Sequence, residues 1–112
     1  MDQEADHPVI ASRRYYLGPE AKGLEIILSI EQPFQDESGY FQCGYRFVGA
    51  EDKIRYAAGG DGIHALIMAL AQAGSLLQYL NEHKYEGKLR WDGGLAESSL
   101  PTVRDHWPFK TG

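Results

Sequence analysis

Three side chains of this 112-residue chain have the types needed for nucleophilic chemistry: Cys43, His64 and Asp61. A thiol attacks well when an imidazole takes its proton and a carboxylate steadies that imidazole. Asp61 and His64 stand one helical turn apart, and Cys43 falls on a strand of the same expected sheet. The spacing is unspecific, and each residue has a plainer role: Asp61 caps, His64 sits on the helix flank and Cys43 fills core. These plainer roles are adopted, and no catalytic residue is assigned.

The remaining polar constellations are weaker. His7, His64, His83 and His106 are scattered, with no pair at the close spacing metal sites use, so no metal is expected. Glu82 and Glu86 form a like-charge pair at helical spacing, which marks a solvated surface rather than a general acid and base. Gly59, Gly60 and Gly62 precede a helix as a phosphate cradle would. Yet Asp61 puts a negative charge where the anion would bind, and no Lys-Ser or Lys-Thr follows. No cofactor is expected.

The aromatic residues carry more. Tyr15, Tyr16, Tyr40, Tyr45, Tyr56, Trp91 and Trp107 supply large amphipathic area near arginines, the composition of recognition hot spots. Strand propensity accounts for part of it. Tyr16, Arg46, Arg55, Trp91 and Trp107 are therefore the candidate partner-binding residues. Trp107 lies in an aperiodic tail, where it either pins that tail to the sheet or projects toward a partner.

The elements that position these residues follow from periodicity. Residues 9–17 and 24–30 read as strands, the second with Leu24, Ile26, Leu28 and Ile30 on one face. Pro33 ends it, and residues 35–39 read as a turn. Phe41, Cys43, Tyr45 and Phe47 then share one strand face, and Ile54, Tyr56 and Ala58 one face of a fourth. At Asp61 the period changes to that of a helix running to about Lys84, with Ile63, Leu66, Ile67, Leu70, Ala73, Gly74, Leu77 and Leu80 along one stripe. Asp61 is placed to cap its first turn. Residues 88–91 allow a short fifth strand. The expected fold is α+β: an antiparallel sheet of four to five strands packed against one long helix, in the order β-β-β-β-α-β. As a single domain it divides into a disordered stretch at 1–8, a meander over 9–58, the helix at 61–84, and a short strand with tail over 88–112.

Composition bounds the partners. Sixteen acidic against eleven basic residues give a formal charge of −5, which repels phosphate backbones, so nucleic acid is not expected. A single cysteine on a strand suits a reduced, buried thiol in the cytoplasm. Residues 1–7 are acidic and lack the parts of a secretory signal, and no run approaches the ~18 continuous apolar residues of a membrane span.

Gly60-Asp61 with Ala65-Leu66 and Ala69-Leu70, then Leu89-Arg90-Trp91-Asp92-Gly93-Gly94 and Leu100-Pro101, resembles a family of small bacterial domains of unknown function. The likeness spans roughly residues 40 to 101. It implies a bacterial origin and a compact α+β domain, often encoded as a stand-alone short protein, and no particular activity.

Function is then approached through cover. A helix of 22 residues is about 33 Å long and about 10 Å across, while strands lie ~4.8 Å apart, so one helix shields little more than two strands. The tail, with Trp91, Leu95, Leu100, Trp107 and Phe109, covers part of the rest. The second sheet face, bearing Arg14, Tyr16, Ile27, Arg46 and Arg55, is left to water or to a contact. The first expectation is a non-enzymatic protein-binding module, such as an immunity or antitoxin-like partner or an adaptor, its acidic turns at Asp36-Glu37 and Glu51-Asp52 steering the partner or merely keeping the loops soluble. The alternative is a homodimeric small-ligand-binding domain, or minor enzyme, with a pocket between sheet and helix near Cys43, Tyr45 and His64.

Overall fold

The computed structural model describes residues 7–17, 25–92, 94–95 and 100–102, the pair 94–95 by backbone alone. Its elements are β1 (Val9–Leu17), β2 (Glu25–Glu31), β3 (Phe34–Gln35), β4 (Phe41–Val48), β5 (Arg55–Gly59), α1 (Gly62–His83), β6 (Leu89–Trp91) and β7 (Gly94–Leu95). The architecture is α+β, one antiparallel sheet carrying one long helix. β1, β2, β4 and β5 pair in succession as a meander, the helix crosses back over the sheet, and β6 pairs on the free side of β1.

Two short pieces were not foreseen. β3 follows β2 after Pro33 and pairs with the same strand, β4, through Phe34 opposite Gln42 and Gln35 opposite Phe41. Pro33 donates no amide to the ladder, so the strand is interrupted rather than ended. β7 folds back on β6.

Alternation sorts the side chains. Tyr15 on β1, Ile26, Leu28 and Ile30 on β2, and Cys43, Tyr45 and Phe47 on β4 are buried beneath the helix, as their period of two requires. β5 has the opposite phase to the one expected. Ala57 and Gly59 face the helix, while Ala58 is exposed and Tyr56 lies on the other face. The reason is at Gly59: a Cβ there would collide with the Ala65 backbone, so this position is where strand and helix touch main chain to main chain.

The same closeness rotates the helix. Its core-facing residues are Ala65, Ala69 and Ala73, then Leu77 and Leu80, with Gly74 buried under the tail instead, whereas Ile63, expected in the buried stripe, is 73 % exposed and Ile67 is exposed too. Small side chains let the helix sit close on β5 and β4, and large ones in the same place would hold it off. Tyr45 helps fasten it, donating its hydroxyl proton to Gln72 Oε1 at 3.1 Å. By length and composition α1 is apolar enough to cross a membrane, more so than the sequence reading allowed, yet here it lies against the sheet.

Both helix ends are fixed by specific groups. The His64 amide donates to Asp61 Oδ1 at 2.7 Å, and the Gly60 amide donates to His64 Nδ1 at 3.0 Å, a reciprocal cap that places the ring proton on Nε2. At the far end Asn81, a polar residue in the last turn, is only 2 % exposed. Its Oδ1 accepts from the Leu89 amide at 3.0 Å, and its carbonyl accepts from Gly87 at 2.6 Å. One side chain thus aims the chain from helix into β6.

Part of the tail closes over the helix. Leu100 packs against the core, and Pro101 lies so near Gly74 that a Cβ there would meet its carbonyl. Trp107 and Phe109, expected to share this cover, lie outside the described residues.

Candidate functional site: the helix-free face of the sheet

The face away from the helix presents Ser12, Arg14 and Tyr16 from β1, Ile27, Ser29 and Glu31 from β2, and Gln42, Gly44, Arg46 and Val48 from β4. Tyr56 on β5 and Arg90 on β6 complete it, as the pairing register fixes. Ile27, Arg46, Tyr16 and Tyr56 are half-buried and Val48 is exposed. Arg14 lies 5.4 Å above the Tyr16 ring and pairs with Glu25 at 3.3 Å and with Asp92 at 3.7 Å. These pairs are solvent-exposed and worth at most about 1 kcal/mol each.

One corner of this face differs in kind. Glu31 is 7 % exposed, and its Oε1 is fully buried without a hydrogen-bond partner among the described residues. Gly44 makes the space: a Cβ there would lie 2.5 Å from that oxygen. Burial raises the Glu31 carboxyl above its usual range, while Arg46 and His7 draw it partly back. His7 stacks on Phe34 with ring centroids 3.9 Å apart and planes 7° from parallel, and Phe34 meets Tyr56 edge-on at 6.1 Å. His7 Nε2 is likewise buried with no hydrogen-bond partner among the described residues. The Gln32 amide donates to the Pro8 carbonyl at 2.8 Å, which ties this stretch to the end of β2. His7 and Pro8 thus have defined places although the stretch 1–8 reads as disordered from sequence.

Of the residues singled out by sequence, Tyr16 and Arg46 share this face. Arg55 does not: it stands opposite Tyr45, on the helix side, where both its Nε and its Nη2 donate to Glu51, at 3.0 and 2.9 Å. That clasp lowers Glu51 and raises Arg55. Trp91 belongs to the helix side as well, packed against the core with the Arg13 guanidinium 3.8 Å from its ring centre. Trp107 lies outside the described residues.

Cys43 is wholly buried, and its thiol donates to the Glu31 carbonyl at 3.3 Å. Burial, followed by the Glu31 charge, pushes it up to about 11, far from a reactive thiolate. Asp61 Oδ1 and His64 Nδ1 are engaged in the helix cap. Cys43 and Tyr45 belong to the same buried core cluster as Ala57, Ala65 and Ala69, with Ala57 directly opposite Cys43 in the sheet. Among the described residues no group of three His, Cys, Asp or Glu side chains comes together as a metal site would need. The acidic turns have internal work. Asp36 accepts from Ser38 and Tyr40 amides, the Ser38 hydroxyl and Gln42, which lowers its carboxyl, and Asp52 accepts from Gly49.

Glu31, His7 and Phe34 escaped the sequence reading as a cluster because His7 lies far along the chain from the other two and none sits in a motif. The available signal was Gly44, a glycine inside a strand, which marks a close approach by another group.

No curated protein and no solved structure matches the chain. Residues 11–102 match the family described as a domain of unknown function, DUF6968. With most of its length, from early in β1 to the end of the described tail, inside that match, the chain belongs to the DUF6968 family.

Proposed function

We propose that this domain is a non-catalytic protein-binding module, an immunity or antitoxin-like partner or an adaptor, that receives another protein on the helix-free face of its sheet. The observation that supports this reading is the one-sided layering. The helix and the 100–102 segment lie on one face, while Tyr16, Ile27, Arg46, Val48 and Tyr56 stand on the other with partial or full access to solvent. Aromatic rings beside guanidinium groups are the usual anchors of such contacts.

Affinity purification from the native source with three baits tests this: wild type, a face variant (Ile27→Asp with Arg46→Glu), and a helix variant (Ile63→Asp). A stoichiometric protein recovered by wild type and Ile63→Asp but lost from the face variant is the expected result. Recovery of nothing by wild type, or equal recovery by the face variant, refutes it.

The second reading, a homodimeric domain with a small-ligand pocket between sheet and helix, has one opening to be weighed. A cleft of about 100 Å³ opens among Ala11, Ser12, Arg13, Leu28, Ile30, Leu70 and Leu100. Pockets for small molecules usually measure ~300–1,000 Å³, so the cleft suits a single apolar side chain better than a metabolite.

A further inference from the structure

We propose that two copies of this chain pair antiparallel along the first half of β1, joining their sheets into one and seating Ile10 of each copy in a cleft of the other. β6 pairs with the outer edge of β1 at Tyr16 and Leu17. Ahead of that, no described residue pairs with the outer edge from Val9 to Ser12, so its outward amides and carbonyls are open to another strand. The side chains there are bare as well. Val9 is 55 % and Ile10 49 % exposed, and Ala11 is exposed although it shares the helix-side phase of Tyr15. The roof does not close over this stretch: a cleft of about 100 Å³ lies between Leu70 and Leu100 above and Ala11, Ser12 and Arg13 at the edge.

The occupant follows from the strand itself. A cleft of this size takes one aliphatic side chain, and the strand that borders it carries two exposed ones immediately before Ala11. A bulge at Ile10, where the pairing with β2 slips between Val9 and Ala11, takes that residue out of the regular alternation. When identical strands pair about a two-fold axis near Ala11, Ile10 of one copy comes opposite the cleft border of the other, and symmetry repeats the contact. Charge order agrees. Asp2, Glu4 and Asp6 precede the paired stretch and Arg13 and Arg14 follow it, so antiparallel copies set acid toward base where parallel copies would set like beside like. The two Arg14 positions then stand about 20 Å apart along the strands, well beyond the ~8 Å screening length. β5, also an outer strand, ends in Ala57, Ala58 and Gly59 and has no large aliphatic side chain to exchange. The helix-free face stays accessible in the pair, so the pairing holds whether or not that face takes a partner.

Sedimentation of the full chain from about 1 µM to about 1 mM brackets an interface this short, at the weak end of specific contacts. Wild type should pass from monomer to dimer within that range. Ile10→Lys sets like charges near the axis and withdraws both aliphatic side chains, so its dissociation constant should rise by about tenfold or more. Ile63→Lys, at a more exposed position on the helix, should dimerise as wild type does. Ala11→Cys reads the register: under mild oxidation it should give a covalent dimer faster than Ile63→Cys, the native Cys43 being buried. A wild type still monomeric at about 1 mM overturns the proposal. So does an Ile10→Lys chain that dimerises like wild type, an equal loss in Ile63→Lys, or cross-linking no faster in Ala11→Cys than in Ile63→Cys.

Discussion

Replacing Asn81 by Ala should loosen the junction between the helix and β6 while leaving the meander intact. Leu89 is wholly buried, and its amide donates to Asn81 Oδ1. Truncation leaves that N–H in the core with no acceptor, a loss of about 1–3 kcal/mol. The Asn81 carbonyl still receives the Gly87 amide, so the turn itself survives and the damage stays local. Urea unfolding of a small domain has a slope of about 1–3 kcal/mol per M, which converts the loss into a midpoint lowered by roughly 1 M. Exchange of individual amides adds the location: Leu89 should lose protection well beyond what the global destabilisation explains, and amides of β2 should not. A variant within about 0.5 kcal/mol of wild type, the usual range of a neutral surface change, with Leu89 still protected, would refute the assigned role.

Two further outcomes follow from the same geometry. Gly59→Ala should destabilise by about 1–3 kcal/mol or more, because its methyl group meets the Ala65 backbone rather than a yielding side chain, whereas Gly62→Ala, with nothing nearer than 3.9 Å, should be neutral or stabilising by up to about 1 kcal/mol; equal midpoints for the two in urea would contradict the main-chain contact. Glu31 holds its proton more tightly folded than unfolded, so the stability this contributes is complete below the unfolded value of 4.5 and is lost as pH rises through the raised folded value; Glu31→Gln should therefore gain on wild type between pH 4 and pH 7 in paired urea titrations, and a loss over that range would reverse the sign.

How far the sequence discloses this architecture depends on which side chains carry the signal. β2 and β4 alternate large apolar residues with polar ones, so both their existence and their inward faces are legible, and Asp61 announces its cap through residue type and position alone. The helix is legible as an element but not in its rotation. Ile63 and Ile67 have the larger hydrophobicity, while Ala65, Ala69 and Ala73 have the size that the approach at Gly59 demands, and in this packing size wins. The inverted phase of β5 is the same error seen from the strand. Asn81 and Glu31 are invisible for a different reason: a buried polar residue is recognised by its partner or by the lack of one, and Leu89, Gly44 and His7 are brought to them only by the tertiary fold.

The close seating of the helix also shapes what the rest of the chain has to do. A helix drawn down onto β5 and β4 by small side chains is fixed at that side of the sheet and leaves β1 and β2 to be roofed by something else on the same face. Leu70 reaches toward them from the helix, and Leu100 comes from the tail, whose path crosses Gly74, a helix position bare enough to let the Pro101 main chain through. The cleft between Leu70, Leu100 and Arg13 is the seam of that roof. On the opposite face no described helix or tail performs this service. There the strands rely on their own edges: Arg14 with Glu25, and the His7, Phe34 and Tyr56 rings beside Glu31. A face maintained by one charged cluster and a stack of rings is more easily altered by pH or by a partner than one sealed beneath a helix, so the chemistry of this domain is to be sought on its open side.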